Sequence, residues 1–549
     1  MSHLMNTRAA LVAEAIEGEL RAAGGRLVRL DGFPDIRVVL RRDRDPGKVA
    51  ILSGGGAGHE PAHAGFVGRG MLTAAVSGDV FASPSTDAVL AAIMTVGGPA
   101  GVLLVVKNYT GDRLNFGLAA ERARAAGIRV ETVIVGDDIA LPDLAQPRGI
   151  AGTLFVHKIA GALAEAGETL ERVAAAARAA AREARSIGMS LSTCTVPGQD
   201  GESRLAPGEA ELGLGIHGEP GAERGAVASA SDTVATMLDR LGVSGGDAPL
   251  AVLVNNLGGL PPLELAVATG CVLQKLGPRA ALLLGPAPMM TALDMKGFSL
   301  SVLPLDEERR AALLAPTDAR GWPSATVPAL PETVPLPELA EAGRMGPSSG
   351  PATGAGARAV LAQLFATLIA QEDALNRLDA RVGDGDTGST VARAAATLSA
   401  ELDRLVHPLW SETLLAIGQT AGKAMGGSSG VVASIFLSAA GGALGGGAPW
   451  PAALATGLER VSFHGGATEG DRTALDALAP AIRALEQGGT IAEAARAAQA
   501  GAERTAEIVR TKSGRSSYLR ADDLRGVADP GAVAVAAIFA SLARSAPDR

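Results

Sequence analysis

Cysteine is almost missing from this chain. Cys194 and Cys271 are its whole complement, too few for a disulfide framework, so a reducing cytoplasm is the expected setting. Aromatic residues make up only 3%, which excludes base stacking as a main mode of recognition. Positive charge is in deficit: the net charge of −9 argues against nucleic acid or an anionic membrane as principal partner. Charges from Arg8 to Arg21 leave no room for an apolar signal segment. Long apolar runs are absent with one exception. Gly430 to Trp450 carries no charge over 21 residues, about the length of a membrane span. Its Ala, Gly and Ser content predicts instead a buried helix in a close-packed bundle.

With 549 residues the chain has room for two to four domains. Strand and helix patterns alternate up to about residue 185. Val49–Ser53 runs into Gly54–Gly58, Val102–Val106 runs into Lys107–Asp112, and a helical stretch (Asn115 to Ala126) precedes a strand at Val130–Val135. That is a βαβ unit with a parallel sheet. A second α/β lobe is expected over 186–332, with strands at Leu250–Val254, Ala280–Leu284 and Leu300–Leu303 and a helix from Pro262 to Leu276. The Pro, Gly, Ser-rich stretch 333–356 reads as a linker. Only helical patterns follow, so 357–549 is expected to be all-α. The fold class is therefore multidomain: a two-lobed α/β domain over 8–332 and an all-helical domain.

What is present in abundance is carboxylate on one loop. Asp379, Asp384 and Asp386 fall within eight residues, between helical runs at Ala359–Leu378 and Val391–Leu405. Thr387 or Ser389 is placed to cap the second helix. Like charges so close call for a cation, and hard oxygen ligands suit Mg²⁺ or Ca²⁺. An EF-hand is excluded: the twelfth position is Ala395 counted from Asp384, or Thr390 counted from Asp379, never glutamate. A sparse acidic cage at a helix N-terminus fits Mg²⁺ bridged to phosphates, because free N–H groups and the helix dipole attract anions.

Other strings are weighed by their context. His59, Lys107 and Asp112 follow strands, where parallel sheets bind ligands. The formal H-E-x-x-H at His59–His63 is rejected as a zinc site, because Pro61 leaves His59 outside any helix. The formal G-x-G-x-x-G at Gly213–Gly218 is rejected as a dinucleotide fingerprint: no clear strand precedes it and Glu219-Pro220 follows at once. A histidine between glycines, His217, can instead serve as base or nucleophile. Gly418–Lys423 is one residue short of a P-loop, with Ala424 where a hydroxyl belongs. Gly426–Gly430 before a helix is the better phosphate cradle.

Taken together, Ser53–Pro61, Lys107–Asp112, Val156–Lys158, Gly213–Pro220, Gly383–Gly388, Gly426–Gly430, Gly470–Thr473 and Gly514–Leu519 resemble the dihydroxyacetone kinase family, in its fused ATP-using form. The resemblance implies a helical barrel for the second domain, with ATP and Mg²⁺ as cofactors, dihydroxyacetone as substrate, no nucleic-acid or membrane partner, and a homodimer in the cytoplasm. It implies that His217 holds the ketone as a hemiaminal, that His59 and Asp112 take the hydroxyl proton, and that Gly56, Ala57, Gly58 and Lys107 contact the triose. Asp379, Asp384 and Asp386 would carry Mg²⁺. Thr387, Gly388, Ser389, Thr390, Ser428, Ser429, Gly465, Arg515, Asp529, Pro530 and Gly531 would contact the nucleotide. Ala57 stands where serine is expected, and Ala474 where methionine is usual. Another small ketose such as erythrulose, cyclisation of FAD to cyclic FMN, and a non-catalytic ketone-binding module are the competing readings. The intact acid set argues against the last.

Overall fold

The computed structural model describes residues 3–141, 146–199, 204–337, 350–512 and 515–545. The chain divides into two compact units, Met1–Thr333 and Val334–Arg549. The first holds two six-stranded sheets. One contains β1 (Leu27–Arg29), β2 (Val38–Arg41), β3 (Ala50–Ala57), β4 (Ala74–Val80), β5 (Val102–Lys107) and β6 (Val130–Val135), in the order β1-β2-β4-β3-β5-β6. Strands β4, β3, β5 and β6 are parallel. The unbroken apolar runs of β3 and β5 are explained by burial on both faces. Helices Thr86–Val96 and Thr110–Ala125 cover one face, and Thr153–Glu165 and Leu170–Glu183 the other. Leu52, Leu103, Leu104 and Val105 are wholly buried, each stabilising the fold by about 1.5–3 kcal/mol relative to exposure.

The glycine run after Ser53 differs from the expected loop: residues 54–57 are the last four of β3. Side-chain-free backbone is needed there because a Cβ on Gly56 would lie 2.7 Å from the Ala82 nitrogen and 2.9 Å from Phe81 Cα. The strand therefore carries the backbone right up to the segment after β4.

The second sheet has β7 (Arg185–Ser190), β8 (Glu209–Leu212), β9 (Glu223–Ala226), β10 (Leu250–Asn256), β11 (Ala280–Pro288) and β12 (Gly297–Pro304), ordered β11-β10-β12-β7-β8-β9. Only β10 and β11 are parallel. β12 returns antiparallel between β10 and β7, so this lobe repeats the βαβ pattern once and is otherwise antiparallel. A strand, β8, does precede Gly213, contrary to expectation. It is four residues long with one buried side chain, too short to show a hydrophobic period.

Among the described residues the second unit contains helices and no strand longer than a single bridge. The expected helix before the acid loop is two helices, Ala357–Ala370 and Glu372–Val382, meeting at Gln371. No Gly or Pro marks that break. It arises because the halves serve different cores: Leu361 and Phe365 pack with Ala395 and Leu398, whereas Val382 packs with Leu524 and Val527. The next helix starts earlier than expected, at Thr387, and stops at Ala400. Helix Gly427–Gly445 is long and apolar enough to cross a membrane by length and composition, and 22% of it is buried. Burial is confined to Gly430, Ala440, Gly441 and Leu444, so the expected buried helix is buried along one strip only. Small residues bring backbones together there: a Cβ on Gly441 would lie 2.7 Å from the Ser411 carbonyl oxygen.

Candidate active site

Four elements of the first unit converge. His59 follows β3, Lys107 ends β5, Asp112 lies in the first turn of Thr110–Ala125, and His217 follows β8. The His59 and His217 rings meet edge to face with centroids 4.7 Å apart. Phe81 stacks on His59 at 5.2 Å and stands edge-on to His217 at 5.2 Å, and Tyr109 closes the third side of His217 at 4.5 Å. Gly58, at φ +97°, permits this box, since a Cβ there would sit 2.8 Å from the Phe81 ring.

His59 Nδ1 faces the Thr291 carbonyl oxygen at 2.8 Å. A carbonyl only accepts, so Nδ1 carries the proton and the buried Nε2 presents its lone pair. That Nε2, Lys107 Nζ and Asp112 Oδ1 are buried with no hydrogen-bond partner in the protein. Buried polar atoms are ordinarily satisfied, so these three orphans mark a place for a polar ligand. Burial, with the charges of Lys107 and His217 adding to it, pushes His59 well below its usual pKa, against the bond to Thr291. Burial also lowers Lys107, opposed by Asp112 and Glu219. A Cβ on Gly55 would lie 3.3 Å from Lys107 Nζ and 3.6 Å from Asp112 Oδ2, so these two groups flank the same glycine. Gly56 faces the Phe81–Ala82 backbone, and the Ala57 side chain joins the hydrophobic core.

In the second unit the acid loop is assembled. Carboxylate oxygens of Asp379, Asp384 and Asp386 lie within 4.8 Å of one another, Asp379 buried and the other two exposed. Asp379 Oδ2 accepts the N–H groups of Asp386 and Thr387 at 3.0 and 3.2 Å, which ties the loop to the helix before it. Neither Thr387 nor Ser389 caps the following helix; the N-cap position is Asp386, without a side-chain cap. Ser389 lies in the first turn, where its hydroxyl bonds Glu372 and Asn376 instead.

Hydrogen bonds and packing tie several other strings of that unit together. Arg472 donates to the Val527 carbonyl at 2.7 Å, Lys512 N–H to Asp471 at 3.2 Å, and Asp529 N–H to Thr505 Oγ1 at 2.8 Å. Val382, just before the acid loop, packs on Leu524 and Val527. Asp529 accepts the Ala532 N–H at 2.8 Å, capping helix Pro530–Ser545, whose first residues are Pro530 and Gly531. Burial raises its carboxyl to about 6. Thr387–Thr390 and Ser428–Ser429 start helices, Gly465 ends one, and Ser428, Ser429 and Gly465 are exposed. Arg515 opens a short 3-10 turn, with its side chain outside the described residues.

The Dak1 domain matches residues 22–321 and the DAK2 domain residues 381–544. The chain is 50% identical over 547 residues to a dihydroxyacetone kinase of Citrobacter freundii, covering 98% of each. It belongs to the dihydroxyacetone kinase family. The human triokinase/FMN cyclase is 41% identical, again over 98% of both chains. The crystal structure of the Citrobacter freundii kinase in complex with AMP-PNP and Mg²⁺ aligns with a TM-score of 0.73 and 47% identity, over 99% of this chain and 100% of that one. Sequence reasoning about this kinase missed the groups that hold the site residues in place. Phe81, Tyr109, Thr291 and Glu219 all touch His59 or His217. Glu219 and Tyr109 stood inside quoted motifs. Phe81 and Thr291 are distant in sequence and carry no local signal.

Proposed function

We propose that the chain phosphorylates dihydroxyacetone with Mg·ATP and that His217 holds the ketone as a covalent hemiaminal. The observation carrying this reading is the enclosed imidazole pair, His59 against His217, beside the unpartnered polar atoms of Lys107 and Asp112. An imidazole nitrogen of His217 adds to the carbonyl carbon, the C=O pair moves to oxygen, and that oxygen takes a proton while the ring gives one up. Glycerol lacks a carbonyl and cannot form the adduct. Lys107 and the Gly56–Gly58 backbone orient the triose. His59 Nε2 and Asp112 take the proton of the attacking hydroxyl.

The acid loop fits Mg²⁺: three hard oxygen donors converge, two of them open to solvent. When bound, the metal neutralises charge on the phosphates. Residues 387–390, Ser428, Ser429, Gly465, Arg515 and 529–531 hold the nucleotide in this reading, which the relative crystallised with AMP-PNP and Mg²⁺ supports. Residues 8–332 then form the ketose domain and 357–549 the nucleotide domain, joined by 333–356. We extend the proposal to a homodimer, testable by light scattering. A cytoplasmic setting is included, supported by two free cysteines.

ADP release with dihydroxyacetone at millimolar Mg²⁺ tests the reaction; no turnover with any small ketose would refute it. ¹³C NMR of ketone labelled at C2 tests the adduct, which should show a tetrahedral carbon in the wild type and none in His217→Ala. A second activity, FAD cyclisation, is supported by the 41% identical triokinase/FMN cyclase. It would survive His217→Ala.

A further inference from the structure

Glu219 lies two residues beyond the histidine proposed to capture the ketone. Its Oε2 accepts the backbone N–H of His217 at 2.8 Å, and its Oε1 meets His217 Nδ1 at 3.1 Å. The seat is built from several elements. Gly215 leaves room for the carboxylate: a Cβ there would collide with Glu219 Oε2, lie 2.7 Å from Glu219 Cδ and 2.8 Å from Arg148 Nη1. Arg148 is buried, paired with Asp138 at 2.7 Å, and donates to the Gly213 carbonyl at 2.8 Å. Arg148 thereby pins the start of the His217 loop, and both it and Glu219 pack against Gly215.

We propose that Glu219, seated against Gly215, is a positioning residue that fixes the tautomer and orientation of His217. A carboxylate has no hydrogen to give, so the proton of this contact belongs to Nδ1. The other nitrogen, Nε2, keeps its lone pair, on an imidazole packed against His59, Phe81 and Tyr109. Burial pushes the Glu219 carboxyl up, but the bonds from His217 outweigh it and hold the group at about 2, so it is a carboxylate throughout the working range. The inference rests on the hemiaminal reading and adds balance to it. Nε2 forms the C–N bond as the carbonyl π pair moves to oxygen; the ring's Nδ1 proton passes to solvent past Glu219, which stays a carboxylate, and the carbinol oxygen takes one proton from solvent, so a neutral ketone and a neutral imidazole give a neutral adduct.

Glu219→Gln tests this with an inverted hydrogen-bond pattern. The single amide oxygen is needed by the His217 backbone N–H, which turns the NH₂ toward Nδ1 and forces the proton to Nε2. ¹⁵N spectra of the ligand-free protein, with histidine ring nitrogens labelled, should show Nδ1–H for His217 in the wild type and Nε2–H in the variant. Loss of kcat/KM for dihydroxyacetone should be about 10²- to 10⁴-fold, with AMP-PNP·Mg²⁺ affinity unchanged. Gly215→Ala, which displaces the carboxylate without removing its charge, should move the same resonances and guards against a variant that fails to fold. Wild-type Nε2–H, or a Glu219→Gln variant retaining Nδ1–H and full kcat/KM, overturns the role given to Glu219. A swapped tautomer with the labelled adduct and full activity intact overturns the hemiaminal reading instead.

Discussion

The proposed ketone pocket and the acid loop are built in opposite ways. His59 and Lys107 are 0% exposed and Asp112 5%, and each keeps a buried polar atom with no hydrogen-bond partner. Asp384 and Asp386 stand in solvent, with only Asp379 buried beneath them. The difference fits what each is proposed to hold. A neutral three-carbon ketone gives up little hydration on entry, and burial favours the neutral form of the His59 imidazole. Three carboxylates cannot be buried together without a cation, because the desolvation and mutual repulsion of unpaired charges cost too much. The pocket keeps its polar atoms buried, whereas two of the three loop carboxylates are exposed.

The contrast should break most visibly at His217. His217→Ala is expected to lower ketone phosphorylation by about 10³-fold or more, while calorimetric AMP-PNP·Mg²⁺ affinity stays at the wild-type value. Loss of both would show that the two sites are not separable.

The acid loop gives the next largest effect and a finer division. Asp384→Asn removes an exposed charge and should cut kcat about 10²-fold, roughly 3 kcal/mol of charge stabilisation. Asp379→Asn should cost activity and also about 1–3 kcal/mol of stability, since its Oδ2 accepts two backbone N–H groups. A wild-type melting point for Asp379→Asn would remove the structural role from Asp379.

Acid sharpens the comparison between units. His59 and His63 are held well below their usual range and His157 at about 3, in each case first by burial. Their folded pKa values are depressed, so the stability they allow is present above 6.5 and lost as the pH falls toward 3. Each contributes a slope of up to about 1.4 kcal/mol per pH unit. Asp137 has the opposite sign: burial raises it to about 6, so between about 6 and 4 acid stabilises the fold through this group and offsets one histidine. In the helical unit Asp529, also raised to about 6, favours the fold as pH drops. Hydrogen exchange at pH 7 and pH 5 should therefore show faster opening in β3 and β5 but not around Asp529; uniform change would refute the assignment.

The smallest effect is expected at Gly58. Gly58→Ala places a Cβ 2.8 Å from the Phe81 ring at φ +97° and should cost about 1–3 kcal/mol, with KM raised more than kcat is lowered. An unshifted melting temperature would show that Phe81 yields freely.

Much of this was written locally. The runs Val102–Val106 and Val130–Val135, the helical texture after 357, and the acid string at Asp379–Asp386 depend on periodicity and spacing within a few residues, so the sequence alone determined them. Short or packing-dependent features were not legible. The two-sided burial that makes β3 continue through its glycines, the break at Gln371, and β8 all arise from contacts with distant segments. The site divides along the same line. Histidines and acids announce themselves by residue type and neighbours, as His217 between glycines does. That Thr291, 232 residues from His59, fixes its proton, and that Phe81 and Tyr109 wall His217, only the tertiary structure decided. Hydrogen-bond partners and ring contacts are set by which chain segments pack together, and one-dimensional spacing carries no record of that.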